Sequence, residues 1–421
     1  MEKYIIDGGN ELHGDVEISG MKNAALPILI ASILTKDTCI VENLPRISDV
    51  RKSLDILEAM GAAVERDDET SSVKINTENV KGGISPYELV SKMRGSTYLI
   101  GAELARFGKA KVGWPGGCDF GVRPIDQHIK GFEALGAKVT VDTDAGYIYA
   151  EAPNGLHGNS VYFDVVSVGA TVNVMIAAVL AKGKTVIDNA AREPHIVDLA
   201  NFFNTCGAKI TGAGTSVIKV QGVEKLHGCS YAIIPDMIEA GTFMAAVAAT
   251  GGKINVRGII PKHMECVSAK LEEMGVGIEE FDDYITVEKS GKAKPIQIKT
   301  LPYPGFPTDM HPQFTAALCI AGGTSSVSEG VWENRFRYVD ELVKMGADIT
   351  VSGVTAKING VEKLRGTEVK AVDLRGGAAM IIAGLCAEGR TTVTNIMSIE
   401  RGYDDIVGKL KKLGAHIEKC E

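Results

Sequence analysis

The sequence predicts an α/β protein of two similar domains, each assembled from three copies of one supersecondary unit. Three observations carry this. A short phrase recurs six times: Met60-Gly61-Ala62, Leu135-Gly136-Ala137, Cys206-Gly207-Ala208, Met274-Gly275-Val276, Met345-Gly346-Ala347 and Leu413-Gly414-Ala415. Its spacing of about 70 residues over the whole chain marks repeated units. Upstream of each phrase lies a run of Ala, Leu, Ile and Val with almost no charge. The chain has 421 residues, enough for two domains of about 200 residues, each with its own core.

Within one unit the elements follow in a fixed order. The apolar runs at 23–35, 96–107, 169–181, 239–250, 313–321 and 377–387 are expected as helices buried on all sides. β-branched segments such as Thr185-Val186-Ile187 and Thr392-Val393-Thr394 follow as strands. Then come stretches with apolar residues at helical spacing, for example 50–60, 125–135 and 339–345, expected as amphipathic helices. The glycine of each phrase suits the C′ position, and the residues after it open a strand.

The repeats also align basic residues. Arg46, Arg123, Arg192, Lys262, Arg335 and Arg401 precede the amphipathic helices. Lys22, Arg94 and Arg375 precede several buried ones. Helix N-termini present free N–H groups and a positive dipole end, and a nearby guanidinium adds charge-assisted bonds to an anion. Basic residues converging on a cleft between two domains suggest a polyanionic small molecule. The net charge of −8 argues against nucleic acid as a partner.

Eight cysteines are present, with no CxxC pair and no zinc-ligand spacing to histidine. Most sit in apolar stretches, as expected of buried thiols in a reducing compartment. Charges at Glu2, Lys3, Asp7 and Glu11 interrupt the N-terminus, so no secretory signal is expected. The uncharged run 165–181 includes Ser167, Thr171 and Asn173 and fits a core helix rather than a membrane span. A cytoplasmic protein is expected. One cysteine differs from the rest. Cys118 lies in Trp114-Pro115-Gly116-Gly117-Cys118-Asp119-Phe120-Gly121-Val122-Arg123-Pro124. Taken alone, this is a turn with an incidental thiol. A cation and a helix N-terminus close by would lower the pKa of such a thiol and make it reactive.

The segments Ile18-Ser19-Gly20-Met21-Lys22-Asn23, Pro115-Gly116-Gly117-Cys118, Arg123-Pro124-Ile125-Asp126, Val166-Ser167-Val168-Gly169, Phe306-Pro307-Thr308-Asp309, Glu333-Asn334-Arg335, Asp373-Leu374-Arg375 and Arg401-Gly402-Tyr403 together resemble the enolpyruvyl transferases. Within that family they resemble the branch whose acceptor is UDP-N-acetylglucosamine. The resemblance runs from about residue 3 to 420. It implies two inside-out α/β barrel domains of three units each. One takes 22–235 with the cysteine loop at 113–123, and the other takes 1–21 and 236–421. It also implies transfer of the enolpyruvyl group of phosphoenolpyruvate to the sugar 3′-hydroxyl, with release of phosphate. The reaction runs through a tetrahedral intermediate without a metal or organic cofactor, as the first committed step of peptidoglycan synthesis.

By the same resemblance Cys118 protonates C3 and forms a covalent adduct with phosphoenolpyruvate. Lys22, Arg123 and Arg401 bind phosphate. Arg335 and Arg375 face the carboxylate and the developing charge, and Asp309 is the candidate base. Asn23 and Arg94 contact substrate. Arg123, Pro124, Ile125, Asp126 and Gln127, together with Val165, Val166, Ser167 and Val168, wall the uridine diphosphate, with Val331 as a further apolar contact. The chain departs from the common pattern at Met237, where many members carry arginine, and at Asp119, Phe120 and Gln127. His311 is expected as a surface or helix-start histidine. Two other readings stand beside this one. The first is transfer to shikimate 3-phosphate, which the cysteine loop and the Arg-Pro-Ile-Asp turn oppose. The second is a catalytically idle UDP-sugar sensor, which the filled catalytic positions oppose.

Overall fold

A computed structural model describes residues 2–82, 85–91, 93–114 and 125–421, with the Arg94 side chain outside this set. It divides into two compact units, residues 20–234 and residues 1–19 with 235–421.

The unit of residues 20–234 holds three sheets. Two are four-stranded and one is three-stranded among the described residues. The first sheet shows the plan. Strand Thr38–Glu42 runs parallel to the short Ser230–Ala232 and antiparallel to Ser72–Asn76, which pairs in turn with Ala63–Asp67. Its strands alternate buried and exposed residues, so one face lies on the core and the other meets solvent. The sheets do not join into a closed barrel among the described residues. Their inner faces cover helices Lys22–Ala31, Tyr98–Phe107 and Val168–Ala178, which pack on one another. These are the runs expected to be apolar all round. In Val168–Ala178 every residue from Ala170 onward is buried.

The unit of residues 1–19 and 235–421 repeats the plan with three four-stranded sheets around helices Met237–Thr250, His311–Leu318 and Leu374–Cys386. The first residues of the chain complete it. Strand Lys3–Asp7 lies between Arg390–Thr394 and His416–Cys420, and Leu12–Glu17 runs parallel to Gly252–Arg257. Two of its three sheets therefore depend on residues 3–17. Phe243 and Phe314 are fully buried here, each contributing about 1.5–3 kcal/mol relative to exposure.

The six-fold phrase has one structural meaning. After each amphipathic helix the glycine takes a positive φ, between 82° and 104° for Gly61, Gly136, Gly207, Gly275, Gly346 and Gly414. The same two backbone bonds close every helix. Gly61 N–H donates to the Glu58 carbonyl and Ala62 N–H to that of Leu57; Gly414 and Ala415 repeat this on Lys411 and Leu410. This is a Schellman ending, in which a residue with a Cβ would be strained at the left-handed position. The expectation of C′ glycines holds.

The chain leaves the first-numbered segment at Ser19 and returns at Pro235. On the side of residues 1–19, the Asp236 N–H donates to the Ser19 carbonyl at 2.9 Å. Buried Glu239 accepts from the Ser19 N–H at 2.9 Å and pairs with Lys409 at 2.5 Å. Burial pushes the Glu239 carboxyl up to about 7, against the pull of Lys409. Met237 opens its helix as a buried apolar residue behind the Asp236 cap. On the other side, Asp198 accepts from the Tyr231 hydroxyl at 2.5 Å and from the Ile234 N–H at 3.3 Å.

Burial pushes the Asp198 carboxyl up to about 6 from an ordinary 3.8 despite those bonds. Between these two values the folded chain keeps a proton that the unfolded chain gives up. The stability this group contributes is therefore full below about pH 4 and lost as pH rises through about 6. Asp198→Asn removes that dependence. Relative to the parent, the variant is expected to gain about 1 kcal/mol between about pH 5 and about pH 7.5. Thermal melts of both proteins at the two pH values check this; an unchanged difference would refute it.

Candidate active site

The candidate residues fall in both units and are described unit by unit. Cys118, Arg123 and Pro124, with Asp119 and Phe120, lie outside the described residues, as does the side chain of Arg94. The Arg94 backbone begins the 3-10 turn Arg94–Thr97.

In residues 20–234, Lys22 is the first residue of a buried helix. Its Nζ lies 2.8 Å from Asp49 Oδ2, and Lys52 Nζ is 3.8 Å from the other oxygen. Asp49 is 1% exposed and sits in the first turn of helix Ser48–Ala59. Its carboxylate thus ties the N-termini of two helices together through Lys22. Asn23 beside it is partly exposed.

The turn Ile125-Asp126-Gln127 and the segment Val165–Val168 are brought together by one buried amide. Gln127 is 6% exposed. Its Oε1 accepts from the Asp164 N–H at 2.9 Å, while its Nε2 donates to Asp164 Oδ2 at 3.2 Å and Asp126 Oδ2 at 2.7 Å. Lys130 Nζ reaches both Asp164 oxygens at 2.8 Å. Val165 and Val166 are left exposed beyond this clamp. Ser167 caps the helix that Val168 begins, accepting from the Ala170 N–H at 3.3 Å. Behind them Asn173 Nδ2 donates to the Thr97 carbonyl at 3.0 Å and meets His128 Nδ1 at 2.9 Å. That contact ties the 3-10 turn of Arg94 to the helix carrying Asp126 and Gln127.

In residues 1–19 and 235–421, Asp309, Arg335 and Arg375 form one cluster. Arg335 Nη2 donates to Asp309 Oδ1 at 3.1 Å, and Arg375 Nε and Nη2 both donate to Asp309 Oδ2 at 3.2 Å. The arginine side chains are 2% and 4% exposed, that of Asp309 31%. Each residue is first or second in a helical segment: Thr308–Met310, Arg335–Tyr338 and Leu374–Cys386. Arg375 is set by its own helix cap, since Asp373 Oδ1 accepts from the Arg375 and Gly376 N–H groups at 2.8 and 2.9 Å. Its guanidinium lies 5.4 Å from the centre of the Tyr403 ring. Burial opposes the charge on Arg375, and Tyr403, Asp309 and Asp236 outweigh it, so the group is held ionised. Arg375 Nη1 makes no hydrogen bond among the described residues, which leaves a buried donor beside the carboxylate.

A buried polar network that the sequence reasoning missed supports this cluster. Glu329 is 3% exposed. It accepts from Thr300 Oγ1 (2.7 Å), Thr308 Oγ1 (2.8 Å) and the N–H groups of Val331 (2.7 Å) and Trp332 (3.1 Å). One carboxylate therefore holds both the turn before Asp309 and the turn of Val331, itself 37% exposed. His311 is part of the same network. It starts helix His311–Leu318 as expected, but it is wholly buried rather than on the surface. Its Nδ1 lies 3.1 Å from Glu329 and its Nε2 2.8 Å from the Tyr338 hydroxyl. Burial keeps the imidazole pKa down against the pull of Glu329, and the Tyr338 hydroxyl donates to Thr315 Oγ1 at 2.8 Å. The short phrase Thr308-Asp309-Met310-His311 carried no signal for a partner at 329.

The aligned basic residues are not equivalent. Arg335 is buried and Arg401 partly so, in the turn before helix Ile406–Lys412. Arg46, Arg192 and Lys262 are exposed, and Lys262, in the 3-10 turn Pro261–His263, pairs with Glu265 at the start of the next helix. For Lys262 the anion-binding expectation meets an ordinary solvated ion pair worth little.

No described helix is long and apolar enough to cross a membrane. A family model described as EPSP synthase (3-phosphoshikimate 1-carboxyvinyltransferase) matches residues 6–410. The UDP-N-acetylglucosamine 1-carboxyvinyltransferase 2 of Clostridium acetobutylicum is 54% identical over 420 residues, covering 100% of this chain and 99% of that protein. UDP-N-acetylglucosamine 1-carboxyvinyltransferase 3 of Caldanaerobacter subterraneus subsp. tengcongensis is 53% identical over 417 residues, 99% of each. UDP-N-acetylglucosamine 1-carboxyvinyltransferase 1 of Staphylococcus aureus is 51% identical over 420 residues, 100% of this chain and 99% of that one. Among solved structures, the enolpyruvyl transferase NikO from Streptomyces tendae superposes with a TM-score of 0.90 at 24% identity, covering 100% of this chain and 99% of NikO. EPSP synthase from Acinetobacter baumannii superposes with 0.78 at 18%, covering both chains fully; these two likenesses speak to the fold. With the family model spanning nearly the whole chain and full-length relatives above half identity, the chain belongs to the EPSP synthase family of enolpyruvyl transferases.

Proposed function

We propose that this chain transfers the enolpyruvyl group of phosphoenolpyruvate to the 3′-hydroxyl of UDP-N-acetylglucosamine and releases phosphate, the first committed step of peptidoglycan synthesis in the cytoplasm. The observation that carries this is full-length identity of 51–54% to relatives that bear the name of this reaction. The chemistry asks for three things: a proton delivered to C3 and later withdrawn, a partner for the sugar hydroxyl proton, and cations for phosphate and carboxylate.

Asp309 suits the second need. Two guanidinia fix both its oxygens, which sets it as the acceptor for the 3′-hydroxyl. Arg335 and Arg375 then have charge left for the substrate carboxylate, and Arg375 Nη1 supplies a donor. Such groups, fixed before the reaction, stabilise developing charge without reorganising. Lys22, Arg123 and Arg401 take the phosphate, with Lys22 aimed by Asp49. Cys118 delivers the C3 proton as a general acid and is the site of a covalent phosphoenolpyruvate adduct. Asn23 and Arg94 contact substrate. Ile125, Asp126, Gln127, Val165, Val166, Ser167 and Val168 flank the uridine diphosphate with Pro124, and Val331 adds an apolar contact.

Phosphate release assayed with each acceptor tests the reading. Release with UDP-N-acetylglucosamine is expected, and release with shikimate 3-phosphate alone would overturn it. An epoxide phosphonate of the fosfomycin type is expected to add once to the parent, at Cys118, and not at all to Cys118→Ser. Intact mass and peptide mapping read this, and an adduct at another cysteine would refute the role of Cys118.

A further inference from the structure

Three cysteines far apart in sequence meet at one point in residues 20–234. Cys39 lies in strand Thr38–Glu42, Cys206 ends helix Pro194–Thr205, and Cys229 directly precedes strand Ser230–Ala232. The backbone holds them there. Strand Ser230–Ala232 runs parallel beside Thr38–Glu42, and the Ile40 N–H donates to the Cys229 carbonyl at 2.8 Å. The His227 N–H donates to the Cys206 carbonyl at 3.0 Å. The cluster thus sits where the first and third repeats of this unit are joined.

The sulfurs of Cys206 and Cys229 are 3.2 Å apart, and all three lie within 4.8 Å of one another. Cys39 and Cys206 are fully buried and Cys229 partly exposed, so the group is closed by protein and open to solvent at Cys229. The reaction proposed above uses none of these residues. A free cysteine is ordinarily a small apolar side chain. Three from separate segments, converging sulfur to sulfur, need a different account.

We propose that Cys39, Cys206 and Cys229 form a binding site for one soft d10 metal ion, held by three sulfurs. Thiolate ligands select Cu(I) and Zn(II). A metal–sulfur bond of about 2.3 Å places sulfurs around a shared ion about 4 Å apart, within the observed spread. Cys206 and Cys229 part slightly to admit the ion, and partly exposed Cys229 has the freedom to do so. Cu(I) accepts the three sulfurs alone, and Zn(II) adds a water from the open side. On binding, each thiol still protonated loses its proton to solvent as its sulfur bonds the ion. The ion would pin the strand that completes the first sheet to the end of the third amphipathic helix.

The test uses the full-length, reduced protein in a Cys118→Ser background, which removes the loop thiol from the count. Zn(II) and, anaerobically, Cu(I) are titrated against a chromophoric chelator of each ion. In at least one arm one equivalent is expected to bind, with sulfur-to-metal absorption in the near ultraviolet and a raised melting temperature. Adding Cys229→Ser or Cys206→Ser is expected to weaken binding at least tenfold, without changing the far-ultraviolet circular dichroism of the metal-free protein. Cys229→Ser in the otherwise parental chain is expected to leave phosphate release unchanged. Failure of both ions to bind overturns the proposal. So does binding that survives both serine substitutions, or a Cys206–Cys229 disulfide forming under reducing conditions in place of metal uptake.

Discussion

Replacing Asp309 with alanine is expected to lower phosphate release about a thousandfold or more and to destabilise the protein by about 3 kcal/mol. The two effects have one source. Asp309 is the shared partner of Arg335 and Arg375, at 3.1 and 3.2 Å. Those arginines are almost fully buried, and a guanidinium left in low dielectric without its carboxylate costs several kcal/mol. The figure stays at the low end of that range because Asp309 is about a third exposed, so water takes up part of the loss. Asp309→Asn separates the effects. Its carbonyl oxygen still accepts from one guanidinium, so the melting temperature is expected to lie between those of parent and alanine variant. Neutral asparagine takes no proton from the sugar hydroxyl, so turnover is expected to fall nearly as far as with alanine. Initial rates and thermal melts of both variants provide the measurement. Turnover within tenfold of the parent in Asp309→Ala would make the carboxylate structural and remove it from the chemistry.

What the sequence made legible is what repeats. The phrase around Gly61 appears six times because each amphipathic helix ends on the same left-handed residue, and only a local rule is needed to see it. The buried helices are legible for a similar reason, since a run such as Ala240–Ala249 has no polar face to give to water. Partners brought together by the fold leave no such trace. Nothing near His311 announces Glu329, and nothing near Lys22 announces Asp49. Cys39, Cys206 and Cys229 show no metal spacing because distant segments of the first and third repeats supply them. The exchange at the chain start belongs with these. Strand Lys3–Asp7 fills the place in the last repeat's sheet that Ser72–Asn76 fills in the first, and periodicity does not disclose which strand closes which sheet. His311 is legible as a helix start but not as a buried group, because Glu329 and Tyr338, far along the chain, meet both its nitrogens and permit complete burial.

Lys22→Met is expected to lower turnover at least a hundredfold, and Asp49 makes it possible to tell whether the loss is chemical or structural. Lys22 Nζ is 2.8 Å from a carboxylate that is 2% exposed. Removing the lysine withdraws the cation at 2.8 Å from Asp49, and among the described residues Lys52 stays at 3.8 Å. A stability loss of about 2–3 kcal/mol should accompany the loss of activity. An inactive single variant therefore proves little. Asp49→Asn leaves the Lys22 charge in place but removes the carboxylate that aims it. Its turnover is expected to survive, with a raised KM for phosphoenolpyruvate, because a less firmly aimed lysine pays entropy to meet the phosphate. The double variant, Lys22→Met with Asp49→Asn, buries no unpaired charge at this pair. Its melting temperature is expected to recover most of what Lys22→Met lost, as coupled neighbours do when both are replaced, while turnover stays as low as in Lys22→Met. Recovered stability without recovered activity places Lys22 in contact with the reacting phosphate. If stability and turnover return together, the lysine serves only to hold two helix ends in place, and the phosphate must be met by other cations.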